Sequence, residues 1–86
     1  MNISVELTLT PLNNTYKTDI IDFISELRNS KFKLIETALS TQIYGEYDEL
    51  MPYLNFAIKQ SFLKSDSSMI HMKIINSDRS NYVADF

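Results

Sequence analysis

The stretch NISVELTLT, residues 2–10, sets the fold expected for this chain. Apolar and polar residues alternate along all of it, which is the period-two pattern of a β-strand with one buried and one open face. Pro11 is expected to end the strand, and the residues after it have the composition of a turn. The buried face takes Ile3, Val5, Leu7 and Leu9, and the open face takes Ser4, Glu6, Thr8 and Thr10.

A helix and a hairpin are predicted to follow this strand. Apolar side chains at helical spacing predict a helix that is capped by Asn14 or Thr15. Residues 32–39 and 41–47 are rich in strand-forming side chains, so they predict two further strands. The junction between them, near Ser40, is short, and we therefore expect the two strands to form a hairpin.

A second helix and a fourth strand complete the pattern. Asp48 is predicted to cap the helix, whose buried stripe runs from Leu50 to Phe62. Residues 69–75 alternate again, which predicts a strand with Ile74 on its covered face. The predicted order is therefore βαββαβ.

This order is the split βαβ, or ferredoxin-like, arrangement of an α+β domain. Right-handed crossovers place both helices on one face of a four-stranded antiparallel sheet, with the first and third strands at its centre. We expect residues 1–86 to form a single domain, with 77–86 as a C-terminal tail. The uncovered face is a candidate surface for a second subunit or a ligand, and it displays Ser4, Glu6, Thr8, His71 and Lys73.

Composition excludes several classes of function. The chain has no cysteine, so disulfides, thiolate metal sites and a cysteine nucleophile are excluded, and a cytoplasmic location is expected. Its net charge of −3 argues against a nucleic-acid partner, which requires a surplus of basic residues. We expect neither a signal peptide nor a membrane span, because no segment approaches the roughly 18 apolar residues that a span needs.

Glu6 and His71 are the two side chains that the pattern singles out. Glu6 is a carboxylate in a central strand, where acids are disfavoured. It either lies on a solvated face beside Lys73 or His71, or accepts a hydrogen bond from the amino group of a ligand. His71 is the only histidine, and it lacks the partners of a metal cluster, so a structural or ligand-lining role is favoured over proton transfer. Gly45 is the only glycine, and one glycine cannot form a glycine-rich phosphate loop. No enzymatic reaction is expected.

The opening ISVELTLTPL, with an ordered set of later residues, resembles the thiamine-binding YkoF-like protein family. Members of that family share a first strand of the form V-E-x-x-L-x-P-L and a hairpin that contains Thr, an apolar residue and Gly-Glu. An acidic helix start and a last strand ending in Lys-Ile follow. The resemblance covers roughly residues 2–79. The matching residues after the first strand are Ser40, Thr41, Ile43, Gly45, Glu46, Asp48, Glu49, Lys73 and Ile74.

The resemblance implies a non-enzymatic protein that binds thiamine or its hydroxymethylpyrimidine part and forms dimers or tetramers through its sheets. It implies that Glu6 accepts from the amine of the pyrimidine and that Thr8, Ser40 or Thr41 hydrogen-bonds to the ring. It also implies that either Tyr44 or Tyr47 stacks on a ring of the ligand. An oligomeric structural or regulatory module without a small ligand is the alternative. The expected ligand-binding set is completed by Ile43, Gly45, Glu46 and His71.

Overall fold

The computed structural model describes residues 1–86, which fold into a four-stranded antiparallel sheet with two helices on one face. The strand order is β2-β3-β1-β4, so the first and third strands are central as predicted, and the ferredoxin-like α+β fold is confirmed. The elements are β1 (Asn2–Pro11), α1 (Tyr16–Arg28), β2 (Lys33–Glu36), β3 (Thr41–Glu46), α2 (Tyr47–Leu63) and β4 (Ser68–Ile75).

The core lies between the sheet and the helices, and β1 supplies the middle of it. Ile3, Val5 and Leu7 are each at most 2% exposed, which confirms the face predicted from the alternation. Burying each of these side chains contributes about 1.5–3 kcal/mol relative to leaving it in water. The other members of the buried cluster are Phe23, Leu27, Ile43, Leu50, Leu54 and Ala57.

The β2-β3 hairpin is confirmed, but β2 ends at Glu36 and not at residue 39 as predicted. A local turn replaces the end of the strand. The Thr37 hydroxyl oxygen accepts hydrogen bonds from the backbone N–H groups of Leu39 and Ser40, at 3.2 and 3.1 Å. Threonine side chains compete with strand pairing in this way, because they offer the backbone a local partner. Leu39 is left 89% exposed.

The predicted cap of α2 is wrong by two residues, because Glu46 and not Asp48 holds that position. The Glu46 carboxylate accepts from the backbone N–H of Asp48 at 2.6 Å and also binds the N-terminal ammonium of Met1 at 3.1 Å. The Met1 ammonium has the largest effect on the pKa of Glu46 and holds it below its ordinary value; desolvation opposes this effect, and the Asp48 amide lowers the pKa further. Asp48 lies in the first turn, where its negative charge is favourable.

Two apolar residues predicted to be covered are largely exposed. Phe62 is 44% exposed, because Ser61 takes the position of α2 that faces the interior. Ile74 is on the predicted face, opposite Val5, but it is 45% exposed at the end of an edge strand. Neither helix is long and apolar enough to cross a membrane.

Candidate functional site

The C-terminal tail crosses the face of the sheet that the helices leave open. The Ser4 hydroxyl donates a hydrogen bond to the carbonyl oxygen of Ser77 at 2.7 Å and accepts one from the amide of Arg79 at 2.8 Å. Ser4 is therefore only 7% exposed, although it lies on the open side of β1. Farther along the tail, the Asn81 side chain accepts a hydrogen bond from Lys33 of β2 at 3.3 Å.

A cavity of about 360 Å³ lies where the tail meets the sheet. This volume is within the range of sites that bind small molecules. Glu6 lines this cavity and lies in the sheet between Gln42 of β3 on one side and Lys73 of β4 on the other. The cavity is lined chiefly by Ser4, Glu6, Gln42, Tyr44, Lys73 and Ile75 from the sheet and by Arg79 and Tyr82 from the tail.

Glu6 has two protein partners and retains capacity for a third. One carboxylate oxygen accepts a hydrogen bond from the Ser40 hydroxyl at 2.9 Å, and the other lies 3.7 Å from the Lys73 ammonium. The cross-strand pairing with Lys73 was one of the partners expected from the sequence. Since a carboxylate has about four lone-pair sites, and the Glu6 side chain is 38% exposed, an amine donor in the cavity can still reach it.

Tyr44 is the aromatic side chain that the sheet contributes to the cavity, and Tyr82 is the one that the tail contributes. The Tyr44 hydroxyl donates a hydrogen bond to the side-chain oxygen of Gln42, and the residue is only 9% exposed on a sheet face without helices. Burial raises the pKa of Tyr44, and the negative charges of Asp78 and Glu6 raise it further. The phenol is therefore neutral around pH 7, and its ring offers an apolar surface to a ligand.

Thr8 and His71 face each other on the same side of the sheet, but outside this cavity. Thr8 lies beside a second hollow of about 240 Å³, which Ser40 and Thr41 also border. This hollow lies between the end of β1, α1 and the turn after β2. His71 borders neither cavity.

Three predicted site residues of β3 face the helices and not the open-face cavity. Ile43 is fully buried in the core, and Thr41 is 7% exposed on the same side. Gly45 lies against Phe32, whose ring would be 2.6 Å from a Cβ atom added at Gly45. Alternate residues of a strand point to opposite faces, so positions 41, 43 and 45 cannot join Gln42 and Tyr44 in one pocket.

Two more of the predicted site residues lie at the start of α2. Glu46 caps this helix, and Tyr47 is its first residue, 42% exposed and away from the cavity. Of the two tyrosines considered for stacking, only Tyr44 lines the cavity. No group of three histidine, aspartate or glutamate side chains converges to hold a metal ion.

Several residues of the cavity were not anticipated from the sequence, among them Gln42, Arg79 and Tyr82. Gln42 could have been found, because the alternation of β3 places it on the same face as Tyr44 and opposite Glu6. Arg79 and Tyr82 could not, because the tail has no periodicity and reaches the sheet through the long-range contact with Ser4.

Comparison with known proteins identifies the fold. No family model and no curated protein matches the chain. Protein SP2199 of Streptococcus pneumoniae superposes with a TM-score of 0.84 and 25% identity, over 94% of this chain and 92% of that one. A Thermotoga maritima protein, TM0486, is provisionally assigned to thiamine biosynthesis or salvage. It superposes with a TM-score of 0.81 and 13% identity, over 99% of this chain and 91% of that one. A Bacillus cereus domain of unknown function, DUF77, superposes with a TM-score of 0.74 and 18% identity, over 99% of this chain and 84% of that one.

Proposed function

We propose that this protein is a cytoplasmic, non-enzymatic binding protein for thiamine or its hydroxymethylpyrimidine moiety, and that the ligand occupies the cavity between the sheet and the tail. The observation that supports this most directly is the grouping of Glu6, Gln42 and Tyr44 in one small cavity. The resemblance of the first strand and hairpin to the thiamine-binding family supports the same ligand, as does the shared fold of the T. maritima protein assigned to thiamine biosynthesis or salvage.

The polar groups of the cavity complement an aminopyrimidine. The exocyclic amine donates to the Glu6 carboxylate, and the Gln42 amide offers both a donor and an acceptor to the ring nitrogens and the amine. The ring packs against Tyr44, which is held by its hydrogen bond to Gln42. A thiazolium beside this aromatic face gains about 0.5–2 kcal/mol from cation–π attraction.

Binding is favoured over acid–base catalysis by Glu6 and His71, because these two side chains are separated. Glu6 lines the cavity, whereas His71 does not. Glu6 pairs across the sheet with Lys73, and His71 lies opposite Thr8, two residues farther along β1. An acid and a base that act on one substrate must both reach it, and His71 does not reach a ligand in this cavity.

Self-association is part of the proposal. β4 is an edge strand of eight residues, and its outer side leaves backbone donors and acceptors free for another chain. Met69, Ile74 and Ile75 of this strand are each 43–47% exposed. A second copy that pairs with β4 would cover them. Analytical ultracentrifugation tests this, and a monomer at high micromolar concentration would contradict it.

Calorimetric titration with thiamine and with hydroxymethylpyrimidine tests the ligand. Glu6→Gln removes the charge but keeps the size, and should weaken binding about tenfold or more, because a hydrogen bond to a charged group contributes about 1.5–3 kcal/mol. Asp66→Asn is the matched control, because Asp66 is exposed in the loop before β4 and away from the cavity. If titration with millimolar ligand produces no heat of binding, the proposal is excluded. The oligomeric module without a ligand is then the better hypothesis.

A further inference from the structure

Two cationic side chains border the same cavity as Glu6, and neither is closely neutralised. The Lys73 ammonium is 3.7 Å from the Glu6 carboxylate, and its side chain is 83% exposed. Arg79 takes part in none of the ion pairs of the structure. The bond to Ser4 uses only the backbone amide of Arg79, so the guanidinium group remains available to contact a ligand. Neither thiamine nor a neutral pyrimidine uses these two positive charges.

The charge of the cavity lining differs in sign from that of the whole chain. Lys73 and Arg79 line the cavity and Glu6 is the only acid among its lining residues, which leaves one positive charge in excess, whereas the chain as a whole has a net charge of −3. In the tail beside the cavity, the Asp78 carboxylate accepts a hydrogen bond from the Ser80 amide at 2.8 Å. The local excess therefore favours a ligand with an anionic group.

We infer that the cavity takes a phosphorylated ligand, an amino-substituted aromatic heterocycle whose far end is a phosphomonoester. This inference rests on the proposed function and deepens it by naming the class of ligand. Glu6 binds the amine, and Arg79, which has no ion-pair partner, binds the phosphate, while the exposed Lys73 side chain adds positive charge to the cavity. A guanidinium presents two parallel N–H donors that match the oxygens of a phosphate, which makes Arg79 the principal contact.

The tail anchor separates the two ends of such a ligand by a suitable distance. The Arg79 amide is bound to Ser4, and Ser4 is two residues from Glu6 on the same face of β1. This spacing corresponds to about 7 Å along the strand. An aromatic ring that reaches from the acid to the tail can therefore place its substituent beside Arg79, with Tyr44 against one of its faces.

Calorimetric titrations with thiamine, thiamine monophosphate and inorganic phosphate test this inference. The wild-type protein should bind the monophosphate about ten- to a hundredfold more tightly than thiamine, since each charge-assisted contact is strong. Arg79→Gln should remove this advantage, so that the variant binds the monophosphate no more tightly than it binds thiamine. Lys59→Gln, an exposed cation of α2 on the opposite side of the sheet, is the control and should retain the advantage. The advantage should also fall as salt concentration rises.

The outcomes separate this inference from the proposed function. If thiamine binds but the monophosphate binds no more tightly, or if Arg79→Gln keeps the advantage, the phosphate assignment is overturned and thiamine binding stands. If inorganic phosphate binds as tightly as the monophosphate, the anion site is independent of the heterocycle, and the inference is also overturned. If neither organic ligand binds, both proposals fall.

Discussion

The Ser40 hydroxyl donates a hydrogen bond of 2.9 Å to the Glu6 carboxylate, although the two residues are 34 positions apart in the chain. The contact runs from the end of the β2-β3 turn to the middle of β1. Ser40 does not itself line the open-face cavity. Its effect on a ligand there is therefore to orient Glu6, and the turn that begins at Thr37 determines where the Ser40 hydroxyl lies.

Ser40→Ala should weaken thiamine binding roughly fivefold, which is less than the effect of Glu6→Gln, because the carboxylate remains but is no longer held in position. The free energy of unfolding should fall by about 0.5–1 kcal/mol, since the hydrogen bond is only partly buried. Calorimetry and urea denaturation measure the two effects. Ser67→Ala is the control, because the Ser67 side chain is exposed. Wild-type affinity in Ser40→Ala would show that Ser40 does not position the acid.

Gly45→Ala should destabilise the protein without affecting the ligand. The backbone of Gly45 has a negative φ, so the requirement for glycine is one of space. An added Cβ would lie 2.6 Å from the Phe32 ring, which packs against Tyr53 with 5.4 Å between ring centroids. Overpacking of this kind costs about 1–3 kcal/mol. Urea denaturation measures the loss, and the double variant with Phe32→Leu should recover part of it. Full stability of Gly45→Ala, or weaker thiamine binding at equal folding, would contradict this placement.

Ser4→Ala should release the tail from the sheet. The Ser4 hydroxyl is both donor and acceptor for backbone groups of residues 77 and 79, and the Lys33 side chain reaches the tail only farther along, at Asn81. Loss of a hydrogen bond of about 1 kcal/mol should make the Arg79 amide exchange with solvent roughly five times faster. Hydrogen–deuterium exchange measures this. Ser77→Ala is the control, because only the backbone carbonyl of Ser77 takes part in the contact, and equal protection in both variants would exclude the anchoring role.

The elements that were predicted well are those in which neighbouring residues specify the structure. The alternation of Ile3, Val5 and Leu7 fixes the buried face of β1, and it places Glu6 on the open face beside Lys73. The topology then follows from the order of the elements and the handedness of their connections. Glu6 could therefore be located correctly from the sequence.

The elements that were predicted poorly depend on contacts between distant parts of the chain. Glu46 displaces Asp48 as the helix cap partly because the N-terminus of Met1 lies beside it. Ile43 was included as a ligand contact on the strength of the resemblance, which contains no information about which face of β3 it takes. Arg79 could not be placed at all, because long-range contacts of the tail with Ser4 and Lys33 bring it to the cavity.

The stability of the protein should fall as pH rises from about 10 to 12, and Tyr53 should account for much of the fall. Burial, followed by the negative charge of Glu26, raises the pKa of Tyr53 from 10.0 to about 12. The native protein therefore retains a proton in this interval that the unfolded chain releases, so the stabilisation is complete below pH 10 and is lost through pH 12.

Tyr53→Phe separates this titration from the packing of the ring. The variant loses the hydrogen bond of 2.9 Å to the Glu26 carbonyl, so it should be about 1 kcal/mol less stable near pH 7. Its free energy of unfolding should nevertheless depend less steeply on pH between 10 and 12. Tyr44, whose pKa is also raised, should leave a residual slope that Tyr44→Phe removes. Urea denaturation at several pH values measures both, and a slope equal to that of the wild type in Tyr53→Phe would show that its phenol is not the group that titrates.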